Sequence, residues 1–500
     1  MVSKTIDLSK QVAKAGCLLI LLMTLSSVLA CTPVLSPASS TSPLPTPPDD
    51  LAATFAAKVK PLLTEQRYSE AVALLEQTAQ ARPNDPTPLR QIGQIYLFQQ
   101  RWRLAEDAFN RALARDLENA ETMTGLAESL LNQGRLDEAL KWWQQAVDRQ
   151  PNLPGVFTGL GQTYLLLFDI EASRAAFEQQ QSHIFDPNAA WYLAALTAPT
   201  DLATAQAHLR AIPDDAPSTL LARRDYLRNT LAAYTPTSSP AQVAKATGVA
   251  LAQLGLWPAA IYALNTALEQ TGSPLSQRER ADTLAFLGYA SAQAGRPAFD
   301  LLEQAIHTDP QAVLPLYFEG RYLRQKGALK AAQASFTQAL ALDPKNAALY
   351  AELADLALEQ GNLSGAEILY TAAGKVAPND LSFQLLLLKF YTDRGYRVNE
   401  TGLPLAQTML QTYPNNAEIY ASLGWMQFLI GKTDNGEKSL RRALELDPKL
   451  VSAHYRLARL LEAKSAPVNA AEEYRRVIDL DTSGTWRDQA LKDLMRLGEK

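Results

Sequence analysis

Residues 311–344 read QAVLPLYFEGRYLRQKGALKAAQASFTQALALDP, and residues 345–378 read KNAALYAELADLALEQGNLSGAEILYTAAGKVAP. Laid over one another, the two segments keep one phase. Gly327 falls on Gly361, Ala332 on Ala366, Phe336 on Tyr370, Ala339 on Ala373 and Pro344 on Pro378. Such a unit reads as two helices of three to four turns. Small residues (Gly320, Ala332) sit where paired helices approach closely, and large ones (Phe336, Tyr370) fill the space at the next contact. A glycine (Gly327, Gly361) ends the first helix, where a left-handed residue is needed. Asp343-Pro344 ends the second helix and opens the next unit, because the first helical turn has amide positions to spare.

The phase extends outward in both directions. Gly93, Tyr96, Ala105, Phe109 and Ala112 repeat it upstream, and Leu423, Gly424, Gly431, Leu440, Ala443 and Pro448 repeat it downstream. The closing marker recurs every 34 residues: at Pro83, Leu117 and Pro151, at Pro310, Pro344 and Pro378, and at Pro414, Pro448 and Thr482. This pattern resembles the tetratricopeptide repeat, W-x2-L-G-x2-Y followed by A-x3-F and then A and P. The resemblance covers residues 51–187 and 241–484 as two arrays. It implies an all-α protein, an α-solenoid whose helix-turn-helix units stack in a right-handed superhelix. Its concave surface would be lined mainly by the first helix of each pair. The activity implied is protein binding, without catalysis and without a cofactor.

Three stretches depart from the pattern. In residues 188–240, Pro199, Pro213, Pro217, Pro236 and Pro240 predict short helices, one over 219–234, in a degenerate joint between the arrays. The unit 281–312 lacks two residues after Gly295, and the unit 381–416 carries two extra around Tyr396–Gly402. Residues 485–500 read as one amphipathic helix, suited to cap the open end of a solenoid.

The first fifty residues have another character. Lys4, Lys10 and Lys14 precede an apolar run from Ala15 to Ala30 that contains Leu18, Leu19, Ile20, Leu21 and Leu22. A basic start and a short apolar run are the marks of a secretory signal, and a membrane-spanning helix needs about 20 apolar residues. The run ends in Val28-Leu29-Ala30-Cys31, which resembles a bacterial lipobox, although Leu29 stands where a small residue is usual. Residues 1–30 are therefore expected to be a lipoprotein signal, with Cys31 lipidated. Cleavage after Ala30 without lipid and an uncleaved anchor remain open. Cys17 and Cys31 are the only cysteines, so the chain beyond Cys31 offers no disulfide. Residues 31–50, rich in Pro, Ser and Thr, are expected to form an extended, solvated tether. Together these features place the protein at a bacterial cell envelope, lipid-anchored and facing outside the cytoplasm.

Composition narrows the function classes. The formal net charge is −5, with both signs interleaved, which argues against a nucleic-acid footprint. The four histidines, His183, His208, His307 and His454, form no metal-ligand spacing. Gly431-Lys432-Thr433 looks like the end of a phosphate-binding loop, but Met426 stands where its first glycine belongs and no strand precedes it. No catalytic residue, metal or small-molecule substrate is expected.

Binding residues are expected on the groove-facing phase of first helices in the second array: Tyr317, Arg321, Arg324, Asp355, Lys389, Trp425, Phe428, Tyr455 and Arg459. Tyr, Trp and Arg are favoured anchors; packing against a neighbouring helix is the competing role for each. The same phase in the first array holds Arg90, Gln94, Thr124, Glu128, Thr158 and Gln162. These are weaker anchors, and they lack the Lys and Asn clamp with which some family members grip a partner's C-terminal carboxylate. The expected partners are envelope proteins that offer a peptide or helix. An accessory role in a polysaccharide synthesis, export or glycosylation machine is the alternative.

Overall fold

The structure is a computed structural model, and it describes residues 55–235, 237–272, 274–481 and 484–498. The leader 1–30, Cys31 and the tether lie outside the described residues. Those residues form 26 α-helices and two π-helical turns, and no strand occurs among them. They divide into two compact units. One contains 55–64 and 70–342; the other contains 65–69 and 343–498.

In the first unit a π-helical turn Phe55–Val59 leads into α1 (Lys60–Thr64) and α2 (Tyr68–Ala81). The pairs α3 (Thr87–Phe98) with α4 (Trp102–Leu113), α5 (Ala120–Asn132) with α6 (Leu136–Arg149), and α7 (Val156–Leu166) with α8 (Ile170–His183) follow. Next come α9 (Pro187–Thr197), α10 (Leu202–Ala211) and α11 (Ser218–Leu231). The unit ends with the pairs α12 (Pro240–Gln253) and α13 (Trp257–Glu269), α14 (Gln277–Gln293) and α15 (Phe299–Thr308), and α16 (Val313–Gln325) and α17 (Leu329–Leu342). The second unit holds α18 (Ala347–Glu359), α19 (Leu363–Val376), α20 (Leu381–Arg394), α21 (Leu403–Thr412), α22 (Ala417–Leu429), α23 (Thr433–Leu446), α24 (Val451–Ala463), α25 (Pro467–Leu480) and α26 (Thr485–Arg496). Each unit is a stack of helix-turn-helix pairs.

The turn inside most pairs is the same piece of chemistry repeated. One residue takes a left-handed conformation, and the amide after it donates to the carbonyl five residues back. Arg135 N reaches Leu130 O at 3.0 Å, Ala328 N reaches Leu323 O at 2.9 Å and Lys432 N reaches Gln427 O at 2.9 Å. This bond satisfies a carbonyl that the helix end leaves over. Glycine fills the left-handed position at 134, 327, 361 and 431, whereas Gln100, Phe168 and Ser465 adopt it without being glycine. Side-chain caps start several helices: Asn119 accepts from Thr122 N at 2.8 Å, and Asn416 from Ile419 N at 3.0 Å.

Between helices, the aromatics of several second helices lie against bare glycine backbone. A Cβ placed on Gly93 would stand 2.7 Å from the Phe109 ring, and one on Gly125 closer still. Gly161 and Gly320 meet Phe177 and Phe336 in the same way, both at 2.6 Å. Phe109, Phe177 and Phe336 are fully buried. The missing side chain therefore sets how closely two helices approach.

The irregular stretches have defined structures. In α9 every residue from Ala189 to Leu196 is buried, Trp191 and Tyr192 among them. Arg174 on α8 donates to Leu196 O and to Tyr262 Oη, both at 3.4 Å, and Arg296 stacks over Phe168 at 4.3 Å. Helix α13 and the turn after α14 are thus brought against α7, α8 and the turn between them, and α13 also meets α9. The two residues missing after Gly295 leave α15 as a ten-residue helix. The two extra residues after α20 are taken up by a left-handed Arg397, with φ of 45°, and a π-helical turn Val398–Gly402.

Candidate functional site

The groove-facing phase can be followed helix by helix within each unit. In the second unit Asp355 on α18 accepts a short hydrogen bond from the buried Tyr370 hydroxyl. Lys389 on α20 is exposed and pairs with Asp393 at 2.5 Å. Asp393 also receives Arg456 Nη2 at 3.0 Å, and Arg456 is only 7 % exposed. On α22, Trp425 and Phe428 are half-buried, with ring centroids 5.2 Å apart, and Leu429 beside them is exposed. Arg459 on α24 is exposed and donates to Tyr455 Oη at 3.3 Å.

Two expected anchors are not available as anchors. Tyr455 is buried: its hydroxyl donates to Asp493 at 2.8 Å and its ring lies 5.0 Å from Trp486, both on α26. The C-terminal helix therefore occupies the place where a ligand would meet this tyrosine. Burial also raises the Tyr455 pKa above the usual tyrosine value. In the first unit Tyr317 is fully buried, packed against Phe318 and Phe336 at 5.4 and 6.0 Å. Both tyrosines are core residues, since a ring enclosed by its own chain offers no surface to a partner. Arg321 lies over the rings of Tyr289 and Tyr317 at 5.4 and 5.9 Å, and Arg324 is half-buried beside it. The structure thus leaves Lys389, Trp425, Phe428 and Arg459 as the open part of the expected set in the second unit.

The first unit holds a polar groove that the sequence reading ranked low. Gln94, Glu128 and Gln162 stand at equivalent positions of α3, α5 and α7, each 34 residues from the next. Arg90 is tied to Glu121 at 2.5 Å and to Asn119 at 3.4 Å. Thr158 donates to Asp186 at 2.5 Å, and Gln162 lies beside the Tyr192 hydroxyl. Among the described residues the Gln94 side-chain carbonyl has no hydrogen-bond partner. Glu128 is half-buried, and burial alone pushes its carboxyl up to about 7. Farther along, Lys245 on α12 and Asp282 on α14 face each other half-buried; burial lowers the lysine and raises the aspartate. The sequence signal for this groove was the 34-residue ladder; its burial could not be read from the residues alone.

Among the described residues no group of three or more His, Cys, Asp or Glu side chains comes together as a metal site. No helix there is long and apolar enough to cross a membrane.

A tetratricopeptide-repeat family model matches residues 90–154 and 423–485, and a second tetratricopeptide-repeat model matches residues 323–389. No curated protein matches the chain. Among solved structures, it is similar to yeast Tom70, at 14% identity over 83% of this chain and 95% of that one, with a TM-score of 0.39. A tetratricopeptide repeat protein from Parabacteroides merdae matches at 14% identity over 51% of this chain and 98% of its own, with a TM-score of 0.40. YrrB, described as a TPR protein with an unusual peptide-binding site, matches at 19% identity over 38% of this chain and 97% of its own, with a TM-score of 0.28. The matched segments contain the glycine turns at 134, 327, 361 and 431 and the contacts of Gly93 and Gly125 with Phe109, and the chain carries tetratricopeptide repeats.

Proposed function

We propose that the protein is a binding scaffold of a bacterial cell envelope, held to a membrane by lipid on Cys31 and capturing a peptide or helix of another protein in its repeat grooves. The family supports protein binding as the activity. The basic and apolar leader, the cysteine behind it and the proline-rich spacer support the anchor. The observation that carries the binding reading lies on α22. Trp425 and Phe428 form a half-buried aromatic pair, with exposed Lys389 and Arg459 on the first helices either side. An aromatic pair left partly open, with the exposed Arg459 guanidinium on the next first helix, suits a segment that offers an apolar side chain and a carboxylate.

Photo-crosslinking in cells from position 425 tests the groove. A discrete adduct that Arg459→Ala weakens is the expected result; adducts from position 128 and none from 425 would move the site to the other unit. Fractionation of Cys31→Ser tests the anchor: the variant should appear in the soluble fraction, and an unchanged membrane association would overturn lipidation.

A further inference from the structure

We propose that the groove of the first unit takes an extended peptide of another chain, and that Glu128 receives a lysine or arginine side chain of that peptide. The proposal rests on the reading that these grooves bind protein segments, and it assigns one of them a ligand chemistry. Three observations carry it. First, the ladder Gln94, Glu128, Gln162 sets one carboxylate between two amides on adjacent, stacked first helices. A primary amide both donates and accepts, as a peptide backbone requires of its partner, and the Gln94 side-chain carbonyl has no partner among the described residues.

Second, several charges on the neighbouring helices are already used. Arg90, from α3, is held by Glu121. Glu106, from α4, is held by Arg135 and Gln133. Arg149, at the end of α6, is held by Glu118. From the α7 side, Asp186 is engaged by Thr158. Nothing among these reaches Glu128, whose carboxyl responds to burial alone. A half-buried carboxylate without a cation calls for one from outside. Third, the chain cannot supply it from the adjoining segment, because residues 31–57 contain no lysine or arginine. Phe98, one helical turn beyond Gln94 on the same face and 65% exposed, offers an apolar contact beside the ladder. Because the empty groove holds Glu128 largely protonated below neutral pH, capture of a cation expels that proton, and affinity falls with acidification.

The test is a random octapeptide library, displayed on phage and panned at pH 8 on the full chain and on Glu128→Gln. Lysine and arginine should be enriched on the natural protein and lose their enrichment on the variant, with helicity unchanged by circular dichroism. A selected lysine peptide should then lose about tenfold or more in affinity when its lysine is replaced by norleucine. The same peptide should weaken between pH 8 and pH 5.5. Equal enrichment on Glu128→Gln, or no basic preference at all, overturns the proposal. Panning on Trp425→Ala separates the two readings: loss of all selected peptides there would place binding on α22, whereas retention keeps it in the first unit.

Discussion

The Phe336 ring occupies the place where Gly320 would carry a side chain, with a ring carbon 2.6 Å from that Cβ position. Two opposed effects act on Gly320→Ala. Helix propensity favours alanine by about 1 kcal/mol, whereas overpacking a closed helix contact costs about 1–3 kcal/mol. The ring is fully buried with nowhere to retreat, so the second effect should win. Gly320→Ala is expected to destabilise by about 1–2 kcal/mol, and adding Phe336→Leu should recover part of that loss. Gly374, on α19, has open space at its Cβ position, so Gly374→Ala should stabilise by about 0.5–1 kcal/mol. Urea titrations of the three variants check the ordering; a stabilised Gly320→Ala would refute this account of the helix spacing.

The left-handed turn residues give a second, independent measurement. Gln100 and Ser465 hold φ of 56° and 58° where sister turns use glycine. A left-handed conformation costs a non-glycine residue about 1 kcal/mol. Gln100→Gly and Ser465→Gly should each raise stability by up to that amount, reduced by the greater freedom glycine has when unfolded. Gly327→Ala should lose about 1 kcal/mol or more by the same reasoning. Local hydrogen exchange at each turn reads the effect without requiring the whole array to unfold at once.

The repeat phase was legible because it is local: a glycine, an alanine and an aromatic recur at fixed spacing, and each position has one steric role. The prolines of 188–240 likewise marked a break. The burial of Trp191 and Tyr192 was not legible, because it depends on how Phe177 of α8 and Arg223 of α11 are brought onto their rings, and residues 188–240 lack the repeat phase. The same limit applies to the groove. Tyr455 and Arg459 share one face of α24, yet α26 covers the first and leaves the second open. Which groove residue is exposed depends on the side chains that the next helix lays over it, and a repeat pattern does not contain that information.

Glu128 should also govern part of the pH dependence of stability. Its carboxyl titrates at about 7 in the folded protein, against about 4.3 in an unfolded chain. The folded state therefore holds this proton more tightly. Its contribution is fully present below the unfolded value and is lost as pH rises from about 4.3 to about 7, after which it is constant. The loss could approach about 3 kcal/mol, less whatever water in the groove screens. Glu128→Gln should raise the melting temperature at pH 8 and leave it nearly unchanged at pH 4. A variant that gained stability while losing basic ligands would mark Glu128 as kept for binding. Equal melting shifts at both pH values would contradict the burial argument.

The C-terminal helix supplies the last expectation. α26 lays Trp486, Ala490 and Leu494 over the final repeat, and the Tyr455 hydroxyl donates to Asp493 beneath it. Arg496 adds a two-pronged contact with Glu462, whose second bond is 2.9 Å, and this pair holds the Glu462 carboxyl below the usual range. Removing residues 485–500 would expose Tyr455, Tyr474 and the leucines around them. In a solenoid each repeat depends on its neighbours alone, so the loss should be graded along the chain. α24 and α25 should lose most of their hydrogen-exchange protection, α22 and α23 less, and α18 and α19 little. The uncovered apolar end should also drive self-association, visible as a concentration-dependent sedimentation coefficient. Trp486→Ala should produce a milder form of the same gradient, because it removes the ring but keeps the helix. A uniform drop in protection through residues 343–480 would show instead that the array melts as one cooperative block, and the last helix would then be part of the core and no cap.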